Sequence, residues 1–69
     1  MFQFEQLRTF AAVVDEGTLE AAARSLHVTP SAISQRLKAM EDAAGQILLQ
    51  RTNPVRPTTA GEAILRFAR

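Results

Sequence analysis

The chain has no cysteine, which excludes a disulfide staple, a thiolate metal site and a cysteine nucleophile. That suits a reducing compartment, and the cytoplasm is the expected location. There is one histidine, His27, so a multi-histidine metal site is excluded and a turn or helix-end role is expected instead. No apolar stretch approaches the ~20 residues of a membrane span. The first residues, Met1-Phe2-Gln3-Phe4-Glu5, lack the basic and apolar regions of a signal peptide. A soluble protein with no membrane partner is expected. Glycine-rich phosphate loops are missing, and no nucleophile stands beside a plausible base. Glu41 and Asp42 are adjacent, so on a helix they splay apart and make no acid/base pair. With 69 residues there is too little chain to enclose a substrate pocket. The expectation is one domain that is not an enzyme and takes no cofactor.

Net charge is only +1, but the charges are unevenly placed. Over residues 1–20, Arg8 alone stands against Glu5, Asp15, Glu16 and Glu20. The remainder sets Arg24, Arg36, Lys38, Arg51, Arg56, Arg66 and Arg69 against Glu41, Asp42 and Glu62. A basic excess gathered in one part of a chain is the electrostatic footprint of a nucleic-acid partner, once helices place it on one face.

Periodicity places them. Leu7, Phe10, Ala11 and Val14 follow Phe4 at spacings of three and four, the signature of one buried helical face, and predict a first helix to about Glu16. Gly17 supplies a left-handed terminator, and Thr18 is placed to cap a second helix. Its core face, Leu19, Ala22, Ala23 and Leu26, is mostly small, which permits close approach of a neighbouring helix. Thr29 caps a third helix that has Pro30 at its first position. That helix divides its residues: Ile33, Leu37 and Met40 face a core, while Ser31, Ser34, Gln35 and Lys38 occupy a polar arc. It ends near Ala44-Gly45.

The pattern then changes. Ile47-Leu48-Leu49-Gln50-Arg51 reads as a strand, Thr52-Asn53-Pro54 as a turn, and Val55-Arg56-Pro57-Thr58 as a short return, limited to an edge by Pro57. Thr59-Ala60-Gly61-Glu62 fits a capping box, after which Ile64, Phe67 and Ala68 begin a new apolar stripe. The fold class is mainly α: a winged helix-turn-helix with a three-helix core, a small two-stranded wing and the start of a further helix. The helix-turn-helix is expected at about 19–38, the recognition helix at about 30–44 and the wing at about 46–58. One unit then spans 2–59, and a further helix begins at 60–69.

The run from Gly17 to Glu41 resembles the helix-turn-helix of LysR-type transcriptional regulators, and so do Gly45, Leu48-Leu49, Arg51 and Thr59-Ala60-Gly61-Glu62 in their order and spacing. The resemblance covers practically the entire chain. It implies a much longer regulator, with an inducer-binding domain after the linker helix, acting as a dimer or tetramer on operator DNA. None of that second domain is recognisable, so the chain is read as an isolated DNA-binding fragment. The block from Thr29 to Arg36 is similar to the branch of the family that controls lysine and arginine export.

By the same resemblance, base contacts fall to Pro30, Ser31, Ser34 and Gln35. Two positions depart from the usual pattern: most members have glutamine where Pro30 stands, and many have Ser-Arg-Gln where this chain has Ser34-Gln35-Arg36. Proline offers apolar contact only, as to a thymine methyl, and no bidentate adenine contact. Thr29, Arg36, Lys38, Arg51 and Arg56 are candidates for phosphates, which need positive charge or a donor without fine orientation. Lys38 has a competing partner in Asp42 at i+4, and an ordinary surface role stays open for Arg36. Ile64, Phe67 and Ala68 are expected to pair with a second copy, weakly in so short a helix; the alternative is that Phe67 folds back on the first helix. The competing function is a winged helix that docks a protein partner. It would place a large apolar residue on the recognition arc, where serines, Gln35 and Lys38 stand.

Overall fold

Capping residues cut the chain into its helices. A computed structural model describes residues 2–68; Arg69, counted above among the basic residues, lies outside them. Helix α1 is Phe4–Glu16, α2 is Leu19–Leu26, α3 is Pro30–Ala44 and α4 is Thr59–Ala68. Two short strands, β1 (Leu49–Gln50) and β2 (Arg56–Pro57), pair antiparallel with Leu49 opposite Pro57 and Gln50 opposite Arg56. The Thr18 hydroxyl accepts the Ala21 N–H at 3.0 Å, and the Thr29 hydroxyl accepts the Ala32 N–H at 3.1 Å. Each cap contributes about 1 kcal/mol and fixes where its helix begins.

Gly17 turns the chain between α1 and α2 with φ 87°, a conformation that side chains with a Cβ seldom adopt. Its carbonyl accepts the Val55 N–H at 2.8 Å, so the same turn anchors the return strand of the wing. The α2–α3 turn uses His27 in that left-handed role, at φ 59°, which agrees with the helix-end role expected for this residue.

The core is built from Phe10, Val13, Ala22, Ala23, Ile33, Leu37, Met40, Leu48, Leu49 and Val55. The alanines of α2 let α1 and α3 close over it, and α1 packs against all three other helices. The expected α1 stripe is shifted: Phe10 is fully buried, but Leu7, Ala11 and Val14 are half-buried, and Thr9 and Val13 take the inner positions. The reason is that α1 is covered from several sides, so its buried arc is wider than a single three-four stripe.

Two expectations beyond α3 are corrected. The strand does not run from Ile47 to Arg51; it is Leu49–Gln50 only, with Ile47 62% exposed and both Leu48 and Leu49 buried. Backbone groups ahead of the strand are bonded outside the ladder, the Leu48 carbonyl to the Thr58 N–H at 3.0 Å and the Ile47 carbonyl to the Thr58 hydroxyl at 2.9 Å. Thr58, and not Thr59, therefore caps α4: its hydroxyl accepts the Gly61 N–H at 3.1 Å. The cap sits one residue earlier because that hydroxyl also donates to the Ile47 carbonyl ahead of the strand. No described helix is long and apolar enough to cross a membrane.

Candidate nucleic-acid interface

Helix α3 presents one face to solvent. Pro30, Ser31, Ser34, Gln35 and Lys38 are all exposed, whereas Ile33, Leu37 and Met40 are at most 1% exposed. At 3.6 residues per turn, Ser31, Ser34, Gln35 and Lys38 share an arc of about 100°, with Pro30 at its edge. The arc carries hydroxyls, a carboxamide and an ammonium, and no large apolar side chain. A polar helix face of this kind, about 10–12 Å across, fits the roughly 12 Å major groove of B-DNA, where donors and acceptors distinguish base pairs.

Charged side chains flank the arc on both sides. On one flank Arg36 turns towards α1: its Nη1 donates to the Thr9 hydroxyl at 3.2 Å, and its Nη2 lies 3.9 Å from Glu5 Oε2. Thr9 is the one fully buried polar residue of the described chain, and this bond satisfies it. The guanidinium is thus drawn away from the outward arc. Sequence spacing gave Arg36 no partner, because Thr9 lies 27 residues away.

On the other flank Glu41 reaches the wing. Its Oε2 accepts the N–H of Leu48 at 2.9 Å and that of Leu49 at 3.3 Å, and its Oε1 lies 3.7 Å from Arg51 Nη2. The sequence reading excluded Glu41 from acid/base work and assigned it nothing else. Its partners are backbone amides, which leave no residue-type signature.

The remaining cations sit as a loose set. Lys38 makes an exposed ion pair with Asp42 at 3.3 Å, an interaction of small worth that a phosphate can displace. Arg51 is half-exposed beside Glu41, and Arg56 is exposed with no ion pair among the described residues. The strand register places Arg56 opposite Gln50, next to Arg51, so both wing arginines belong to one short hairpin. At its tip Asn53-Pro54 is a cis peptide, and the Thr52 hydroxyl donates to the Pro54 carbonyl at 2.8 Å. The Thr29 hydroxyl already accepts from Ala32, which leaves its own proton free to donate.

The apolar stripe of α4 is divided. Ile64 is half-buried against the domain's own core, where it shares an apolar hollow with Phe2, Leu7 and Phe67. Phe67 is 81% exposed at the mouth of a groove that it shares with Phe4 and Leu7, and Ala68 is half-buried there. Phe67 is therefore not folded back for burial on α1. Among the described residues no cluster of metal-ligating side chains is found.

The chain matches the family described as "Bacterial regulatory helix-turn-helix protein, lysR family" over residues 4–62. It is 56% identical over 63 residues to the HTH-type transcriptional regulator LysG of Mycobacterium tuberculosis, covering 91% of this chain and 21% of that protein. It is 45% identical over 64 residues to the lysine export transcriptional regulatory protein LysG of Corynebacterium glutamicum, covering 93% of this chain and 22% of that one. The export branch expected from residues 29–36 is thus among the similar proteins. The chain spans about a fifth of the length of these curated relatives. Among solved structures, the CbnR DNA-binding domain in complex with DNA superposes with a TM-score of 0.91 at 39% identity, over 99% of this chain and 79% of that one. The match spans the helix-turn-helix, the wing and the start of α4, and this chain belongs to the lysR family of bacterial regulatory helix-turn-helix proteins.

Proposed function

We propose that this domain is the operator-reading part of a cytoplasmic LysR-type regulator and binds double-stranded DNA sequence-specifically. In this reading α3 enters the major groove, where Ser31, Ser34 and Gln35 meet base edges and Pro30 meets an apolar group such as a thymine methyl. Lys38, Arg51 and Arg56 neutralise phosphates, and the Thr29 hydroxyl donates to one. Arg36 serves the interface indirectly, by tying α3 to α1. The observation that carries the reading is the exposed polar arc of α3, free of large apolar side chains and flanked by a wing with two arginines.

Residues 2–59 form the reading unit, and the helix from residue 60 onward continues to a two-fold partner. Phe67, exposed beside Phe4, is the side chain offered to that second copy, while Ile64 is already half-covered. Pairing through so little exposed apolar surface is weak. It sets two recognition helices on successive major-groove faces of one operator. The inducer-binding domain of such a regulator is not among these 69 residues. The Corynebacterium glutamicum relative is named for lysine export, and by that likeness the genes this domain regulates concern the export of a basic amino acid. A footprint of the purified domain on the DNA upstream of its own gene tests the proposal, with protection of paired half-sites expected. Uniform coating of the fragment would contradict it.

A further inference from the structure

The wing joins the rest of the domain through a short stretch in which side chains replace a sheet. Strand β1 has two residues, and the amides of Leu48 and Leu49 point back to α3, where a single carboxylate oxygen of Glu41 accepts both. The Glu41 side chain is 16% exposed, and its second oxygen faces the Arg51 guanidinium. Apolar burial of Leu48 and Leu49 holds this backbone against the core, but apolar contact is non-directional. The Leu48 and Ile47 carbonyls are tied to Thr58 at the start of α4, while an acceptor oxygen shared by two successive amides is directional and ties this backbone to α3 itself. Arg51 follows Leu49 by two residues, so a rotation there moves the root of its side chain, and the 3.7 Å approach to Glu41 Oε1 holds its head.

We propose that Glu41 is a positioning residue for DNA binding. It does not touch DNA; it sets where Arg51, and with it the wing, stands relative to Ser31, Ser34 and Gln35 on the same helix. The recognition helix thereby carries its own gauge for the distance between base contacts and phosphate contacts. The inference rests on the reading of the wing as a phosphate-binding element.

The test measures binding to a mixed-sequence duplex of about 30 base pairs over a series of salt concentrations, with folding of each variant followed by circular dichroism in the same buffers. Arg51→Ala is expected to weaken binding and make the log–log salt slope shallower by about 0.9, one phosphate's worth. Glu41→Asp keeps the negative charge but is one methylene shorter, and it is expected to lose the same slope with Arg51 still present. Glu41→Gln keeps an acceptor oxygen at the original reach and is expected to retain the wild-type slope. In the Arg51→Ala background, Glu41→Asp should change the slope no further. A Glu41→Asp protein with the wild-type slope overturns the proposal, even if it melts earlier, because a purely structural role would lower stability alone. A Glu41→Gln protein that loses as much slope as Glu41→Asp overturns it as well. If Arg51→Ala itself leaves the slope unchanged, the fault lies in the reading of the wing, a result separate from either outcome at Glu41.

Discussion

Gly61 lies against the Leu48 carbonyl so closely that a β-carbon at residue 61 would overlap that oxygen and press on the Phe10 ring. The same carbonyl accepts the Thr58 N–H, so the first turn of α4 is seated on the backbone that leads into the wing. Gly61→Ala should therefore destabilise the domain by about 1–3 kcal/mol through overpacking, although alanine is the better helix former by about 1 kcal/mol. Urea unfolding followed by circular dichroism measures the difference. Equal or greater stability would mean that α4 does not need this close approach.

Arg36→Ala separates a structural tether from a phosphate contact. It removes the donor to the buried Thr9 hydroxyl, and a loss of about 1–2 kcal/mol is expected. Arg56→Ala, at an exposed site with no ion pair among the described residues, should leave stability within about 0.5 kcal/mol of wild type. In DNA binding the order reverses: at temperatures where both proteins are folded, Arg56→Ala makes the salt slope shallower and Arg36→Ala does not. A slope change of about one on Arg36→Ala would return that residue to the phosphate contacts.

The helix-turn-helix was legible in the sequence because its punctuation is local. Thr18, Thr29, Pro30, Gly17 and Gly45 each act within four residues of their own position, and all five stand where their residue types placed them. Long-range bonds were not legible. Thr9 lies off the apolar stripe of α1 and carries no local sign of burial until Arg36 arrives from α3, and Glu41 carries no local sign of a partner until the Leu48 and Leu49 amides fold over it. The wing misled in a third way. Leu48 and Leu49 are both buried, which alternation in a strand forbids, because the chain bends into the core before it pairs. The expected base-contacting residues Pro30, Ser31, Ser34 and Gln35 lie together on one exposed face with the phosphate candidate Lys38, while Arg36, also expected at a phosphate, stands apart from them.

Gln35 distinguishes sequence reading from simple attraction. Its carboxamide stands on the exposed arc and is able to bond an adenine edge in bidentate fashion, worth about 1–3 kcal/mol of discrimination. Gln35→Ala should change the ranking among duplexes that differ at one base pair, whereas Arg56→Ala weakens all of them alike. Selection from a randomised operator library reads both. An unchanged ranking for Gln35→Ala would remove it from the base contacts.

Phe67→Glu tests assembly. The ring is 81% exposed, so the substitution should cost the folded domain little, while it places charge in the apolar surface shared with Phe4. Sedimentation should show a weak, concentration-dependent dimer for the wild type and a monomer for the variant, with the preference for two half-sites over one lost in parallel. A wild-type protein that stays monomeric and binds one half-site as tightly as two would rule out pairing through α4.

The central claim is sequence-specific binding to duplex DNA, anchored on phosphates, and a salt titration on two duplexes tests it most directly. One duplex carries the footprinted region and the other a scrambled sequence of the same composition, each titrated between about 50 and 200 mM salt. With about five phosphates neutralised per domain, affinity for the footprinted duplex should fall with a log–log slope of roughly −4 to −5. That duplex should also stay preferred at every concentration. Affinity indifferent to salt, or equal for the two duplexes, would contradict the account.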